Sequence, residues 1–146
     1  MNLDSLNEIA SYIVSEGKGI LAADESNPTC TKRFDSIGVE STEDNRRDYR
    51  ELLFRSTGMK GNIGGVILFD ETIRQKAADG TQLVDVITAQ GAMPGIKVDK
   101  GLKQIGDSTE SLTQGLVGLD ERLKEYYQLG AKFTKWRAVI NIGEGM

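Results

Sequence analysis

The sequence predicts an α/β fold built on a parallel sheet, and three observations predict it. Short apolar, strand-like runs alternate with helical periodicities along the chain. One such run recurs roughly every 30–40 residues, which leaves room for a helical crossover between parallel strands. Each run is apolar early and charged at its C-terminal end.

The elements follow in order. Leu3, Leu6, Ile9, Ala10 and Ile13 recur at helical spacing, so residues 3–16 read as an amphipathic helix that Gly17 ends. Lys18 to Asp24 (KGILAAD) is the first strand, and residues 29–37 a short helix. Ser41 and Asp44 stand at capping-box spacing. The helix they open is expected to reach residue 57, with Tyr49, Leu52 and Leu53 on its apolar side. Gly64 to Asp70 (GGVILFD) is the second strand. Helices are expected over Glu71 to Ala78 and Val84 to Thr88, and a third strand over Gly95 to Lys100. Gly101 to Gln114 reads as a polar, glycine-rich stretch. Leu116, Leu119, Leu123 and Tyr127 mark a helix closed by Gly130, and Ala131 to Ile140 is the fourth strand. No repeat, low-complexity segment or linker divides the chain, so residues 1–146 form one domain.

Period-2 spacing groups the charged strand ends by face. Ile20, Ala22 and Asp24 share one face; so do Val66, Leu68 and Asp70; Gly95, Lys97 and Asp99; and Phe133, Lys135 and Arg137. Charges at the C-terminal ends of parallel strands are where βα barrels build their sites, and doubly wound sheets place ligands at the same edge. A single charged end marks only a strand emerging into water. Lys135 differs, because it sits within its strand between apolar residues, and burying an ammonium is costly without partners. Lys97, Lys135 and Arg137 converging near Asp24 would bind a phosphate. A lysine crowded by cations would serve as acid, base or amine nucleophile.

Composition narrows the chemistry. The formal net charge of -4 gives no basic footprint for nucleic acid. There are no histidines, which removes His-ligated zinc and Ser-His-Asp or Cys-His chemistry from the chain. Cys30 is the sole cysteine, so no internal disulfide forms, which suits a reducing compartment. The N-terminus lacks the basic and apolar regions of a signal peptide, and no apolar run approaches the ~20 residues of a membrane helix. A soluble cytoplasmic protein without membrane partners is expected.

Five blocks then carry a resemblance. They are Gly17 to Ser26 (GKGILAADES), Glu43 to Arg47 (EDNRR), Gly64 to Phe69 (GGVILF), Gly95 to Gly101 (GIKVDKG) and Lys135-Trp136-Arg137. In this order and spacing the chain resembles the N-terminal part of class I fructose-bisphosphate aldolases, over residues 3–146. The resemblance implies the first half, about four βα units, of an eight-stranded (β/α)8 barrel of the TIM type. It implies reversible cleavage of fructose 1,6-bisphosphate to dihydroxyacetone phosphate and glyceraldehyde 3-phosphate in glycolysis and gluconeogenesis. The family uses a Schiff-base lysine, no metal and no other cofactor, and its full-length members are homotetramers. By this resemblance Asp24 assists carbon–carbon cleavage and Lys135 assists carbinolamine formation and dehydration. Lys97 is a further cationic site lysine, Arg137 helps hold substrate, and Ser26 and Arg33 fall where the family contacts the bisphosphate. Arg46 lies in a motif used near the substrate. Asn27-Pro28-Thr29 departs from the Gly-Ser pair of many relatives, though Thr29 keeps a hydroxyl. The loop from Ser56 to Asn62 is shorter than in many animal relatives.

Length is the large departure. An eightfold barrel takes ~250 residues, and only four strands are read here. The family's Schiff-base lysine, its glutamate acid/base pair, a phosphate-binding Ser/Arg set and the C-terminal tyrosine have no matching positions. The C-terminal half of the barrel is therefore expected to be absent, and Gly143-Glu144-Gly145 following strand four suggests an interrupted sequence. The competing expectation is a non-catalytic half-barrel that binds sugar phosphate or a partner. Its open edges would favour pairing or instability. Another Schiff-base barrel enzyme, such as transaldolase, fits the five blocks less well.

Overall fold

A computed structural model describes residues 5–140 and 142–143. Leu3, expected in the first helix, lies outside the described residues, as do Asn141, Glu144 and Gly145.

Helix α1 spans Leu6–Ile13. Ser5 caps it: its Oγ accepts from the Glu8 N–H at 3.2 Å, and the Glu8 carboxylate accepts from the Ser5 N–H at 3.0 Å. This reciprocal box satisfies two of the helix's orphan donors. The backbone of Ile13 lies against Gly64, where an added Cβ would stand 2.4 Å from the Ile13 carbonyl oxygen. The helix thus seals the N-terminal end of the sheet, and Gly64 permits the approach.

Strand β1 is Gly19–Ala23, followed by α2, Asn27–Asp35, with Pro28 in its first turn. Helix α3 is Glu43–Phe54. Its cap is Thr42 rather than Ser41, because the Thr42 hydroxyl reaches the Asn45 N–H at 3.1 Å. Its inward face also differs from expectation. Leu52 is exposed, and the buried residues are Arg46, Arg50 and Phe54, four apart in sequence. A charged face can turn inward here because carboxylates and carbonyls wait for the guanidiniums.

Strand β2 is Ile63–Leu68, and α4, Asp70–Arg74, begins two residues later. Asp70 therefore opens a helix instead of extending the strand face of Val66 and Leu68. Helix α4 stops short of Ala78, since Gln75 is already extended and Gly80, at φ 85°, turns the chain into α5, Leu83–Ala89. Strand β3 is Met93–Lys97. The stretch read as polar coil contains an antiparallel hairpin, β4 (Leu102–Gln104) with β5 (Ser111–Thr113). Helix α6 is Leu119–Gln128. It buries Tyr126, while Leu116 and Tyr127 are exposed, contrary to the expected stripe. Strand β6 is only Phe133–Lys135, so Lys135 ends its strand and Arg137 lies beyond it. An edge strand with one neighbour has no second ladder to prolong it.

The four long-range strands form one parallel sheet in the order β1-β2-β3-β6. One face carries Val66, Leu68, Ile96 and Val98 against Phe54, Ile73, Leu83, Ile87 and Tyr126 of the helices. Each fully buried Leu or Ile contributes about 1.5–3 kcal/mol. The other face is concave. Phe133 lies across it, and Cβ atoms at Gly95 and Gly65 would meet its ring at 2.4 Å and 3.0 Å. Two glycines on adjacent strands make room for one aromatic ring. Ile20 and Ala22 are exposed on this same face.

Candidate active site

Asp24 follows β1, and Lys97 and Lys135 end β3 and β6, so all three stand at the C-terminal edge. Lys97 and Lys135 are Cα partners in the ladder, which places them side by side. Lys135 Nζ donates to Asp24 Oδ2 at 2.5 Å. This bond joins the two outer strands of a four-stranded sheet. In a flat sheet they would stand on the order of 14 Å apart, three strand spacings. The contact forms because the sheet curls strongly, bringing its outer strands toward each other across the concave face. Asp24 is buried and Lys135 is about a third exposed, its side chain retaining 35% of its accessible area.

Lys97 has a carboxylate of its own. Its Nζ donates to Asp99 Oδ1 at 2.5 Å and to the Asp99 carbonyl at 2.8 Å. Burial alone would push the Asp99 carboxyl up, but the Lys97 hydrogen bond and charge, with backbone N–H groups of Gly101 and Arg137, hold it below the usual range. The cations expected near Asp24 therefore do not stand as a bare cluster: Lys135 pairs with Asp24 as that reading allowed, and Lys97 with Asp99. Each lysine carries a matched anion.

A cleft of about 670 Å³ opens beside this edge. Ser26, Lys97 and Arg137 line it, together with Lys100, Arg122 and Tyr126. Arg137 is exposed, and its carbonyl accepts from Thr113 Oγ1 at 2.8 Å. The hairpin thus holds the segment that carries Arg137. Ser26 is the N-cap residue of α2, and its hydroxyl meets that of Thr29 at 3.1 Å.

Four of the seven expected residues stand apart from the cleft lining: Asp24 and Lys135, which pair with each other at the sheet edge, and Arg33 and Arg46. Arg33 projects from α2, pairs with Glu25 and donates to Tyr49 Oη at 3.2 Å. Arg46 is buried, with Nε and Nη2 donating to the Glu71 carboxylate at 2.8 and 2.5 Å and Nη1 to the Ser41 carbonyl at 2.6 Å. In this structure it ties α3 to α4. The bonds from Arg46 hold the Glu71 carboxyl below its usual range, against the opposing effect of burial.

Sequence reasoning missed Arg50, Arg122 and Thr113, and it noted Asp99 only as a charge on the face of Lys97. Arg122 donates to the Val98 carbonyl at 3.0 Å and the Gly115 carbonyl at 2.5 Å, pinning the chain that leaves β3. Its one legible signal was its place on a helix after a polar stretch. Among the described residues, no group of three or more His, Cys, Asp or Glu side chains is placed to hold a metal ion.

The sequence profile of the glycolytic family "Fructose-bisphosphate aldolase class-I" matches residues 5–146. The chain belongs to the class I fructose-bisphosphate aldolase family. It is 55% identical over 145 residues to a "Probable fructose-bisphosphate aldolase class 1" of Xanthomonas axonopodis pv. citri, covering 99% of this chain and 43% of the relative. It is 55% identical over 141 residues to "Fructose-bisphosphate aldolase 6, cytosolic" of Arabidopsis thaliana, covering 96% of this chain and 39% of that one. Among solved structures, fructose-bisphosphate aldolase from Plasmodium falciparum, in complex with TRAP and a small-molecule inhibitor, superposes with a TM-score of 0.86 at 52% identity. That match covers 88% of this chain and 38% of the other. The chain thus spans less than half the length of these family members. Its curled sheet is the first part of a βα barrel, left open between β1 and β6.

Proposed function

We propose that this chain supplies the Asp24, Lys97, Lys135 and Arg137 portion of a class I aldolase site. That site acts on fructose 1,6-bisphosphate and its triose phosphate products through Schiff-base chemistry, in glycolysis and gluconeogenesis. The single observation that carries the reading is the Lys135–Asp24 bond across the concave face, beside Lys97 in register. A buried carboxylate hydrogen-bonded to an ammonium is a ready proton-transfer pair. In the proposed roles Lys135 delivers a proton to the hydroxyl leaving a carbinolamine, and Asp24 takes the hydroxyl proton as the carbon–carbon bond breaks. Lys97, Arg137 and Ser26 border the cleft of about 670 Å³, which Asp70, Asp99 and Glu125 also line, and offer donors to phosphate oxygens. Arg33 and Arg46 would reach a substrate only after leaving their present partners. No residue here is assigned as the amine that bonds to substrate, because the family's Schiff-base lysine has no matching position among the 146 residues.

A cytoplasmic setting and assembly into a homotetramer belong to the same proposal for the whole protein. No described helix is long and apolar enough to cross a membrane.

The test is a titration of the chain with fructose 1,6-bisphosphate, followed by NMR with residue assignments. Shifts should concentrate at Asp24, Lys97, Lys135 and Arg137 and disappear in the Lys97→Met and Arg137→Met double variant. Unchanged spectra at millimolar bisphosphate, or shifts confined to the helices, would sink the reading.

A further inference from the structure

Arg50 is wholly buried, at 0% exposure, and nothing in the proposed chemistry uses it. Arginine is rarely buried without partners that fix it. Its Nε donates to the Ala23 carbonyl at 3.2 Å, and its Nη2 donates to the Glu25 carbonyl at 2.5 Å. Those carbonyls belong to the residues immediately before and after Asp24. The Glu25 and Glu71 carboxylates stand at 4.0 and 3.7 Å and balance its charge.

The position of these bonds matters because of where β1 ends. Its pairing with β2 stops at Ala23, so Asp24 lies just past the ladder. Among the described residues, no strand flanks β1 on its other side. The direction of the backbone at Asp24 decides whether its carboxylate reaches Lys135 across the concave face. A rigid planar fork that binds both flanking carbonyls fixes that direction, which a single flexible ammonium cannot do. Arg50 also comes from α3, on the helix-covered side, so it holds the segment from behind and leaves the concave face clear.

We propose that Arg50 is a positioning residue: its guanidinium brackets Asp24 through the Ala23 and Glu25 carbonyls and so aims the Asp24 carboxylate at Lys135. The proposal rests on the reading that the Asp24–Lys135 pair is the working pair of the site.

A triple-mutant cycle tests it. The coupling between Asp24 and Lys135 is measured by urea unfolding of the chain, of Asp24→Asn, of Lys135→Met and of both together. The four are then repeated with Arg50→Lys, which keeps the charge and loses the fork. With Arg50→Lys the coupling should fall to about half or less of its value with arginine. A residue that merely supports the fold would lower every unfolding midpoint alike and leave the coupling intact, and that result would overturn the proposal. Should Arg50→Lys not fold, hydrogen exchange of the Arg50 Nε–H in the unsubstituted chain decides. Protection comparable to the β1 amides is expected, and exchange at the rate of free arginine overturns the bracket. Neither measurement depends on substrate. A bracket without a bisphosphate response sinks the functional reading alone, and a bisphosphate response without the bracket sinks only this proposal.

Discussion

Gly95 and Glu71 show how single residues set the site's frame. At Gly95 an added methyl would stand 2.4–2.6 Å from three atoms of the Phe133 ring. The ring is wedged over β3 and β2 and cannot swing clear without leaving the concave face. Gly95→Ala should therefore cost about 1–3 kcal/mol, the usual range for overpacking, read as a lowered urea midpoint. Glu71 predicts a pH dependence. Hydrogen bonds from Arg46 depress its folded-state value below that of the unfolded chain. Its contribution to stability is then fully present above the usual glutamate value of about 4.3 and is lost as pH falls through the depressed folded value. Glu71→Gln should be less stable at neutral pH and should lose less stability on acidification below about pH 4. Parallel urea titrations at pH 7 and pH 3 check this. An equal acid loss in both proteins would rule out the ion pair as its source.

At the scale of elements, the β4–β5 hairpin decides where Arg137 goes. Lys100 and Gln114 close its base, with the Lys100 N–H donating to the Gln114 carbonyl and the Gln114 N–H to the Gly101 carbonyl, both at 2.8 Å. Thr113 then holds the Arg137 carbonyl, and Arg122 holds Gly115 from α6. Thr113→Val removes one exposed bond, so the global cost should not exceed about 1 kcal/mol. Its local effect should be clear: backbone amides near Arg137 should exchange faster with solvent, while those of β2 and β3 stay unchanged. Uniform acceleration across the sheet would assign the hairpin a general stabilising role instead. Helix α3 makes the complementary point. Its expected apolar stripe fails at Leu52, and the buried Arg46 and Arg50 connect α3 to Glu71 and to the segment around Asp24.

At the scale of the molecule, the sheet is half-covered. Helices pack one face, while the concave face exposes Ile20 and Ala22 between two unpaired edges. Open parallel edges beside exposed apolar surface invite pairing. The isolated 146-residue chain should associate as its concentration rises, measured by sedimentation velocity. A stable monomer into the high-micromolar range would contradict this. The same chain incubated with dihydroxyacetone phosphate and borohydride should form no adduct at an enzymatic rate. Rapid stoichiometric trapping would show that Lys135 or Lys97 is the nucleophile and would reverse the assigned roles.

By itself, the sequence determined the α/β class, the four parallel strands and the family, while the structure ends those strands earlier, at Ala23, Leu68, Lys97 and Lys135. The class, the strands and the family follow from local pattern: apolar runs with period 2, crossovers of fixed length, and five ordered blocks. Asp24 and Lys97 could be named because charges cluster near the C-terminal ends of apolar runs, and Lys135 because it stood among apolar residues, features that can be read locally. Only the tertiary structure decided which charges meet. Asp24 and Lys135 are 111 residues apart in sequence, and their contact depends on how far a four-stranded sheet curls. Lys97 stands beside Lys135, but its ammonium bonds to Asp99. Arg46 and Arg50 look like surface residues of a charged helix until Glu71 and the carbonyls around Asp24 are placed beneath them. Buried charge is invisible to hydrophobic periodicity, because what permits it is a partner supplied by another part of the chain.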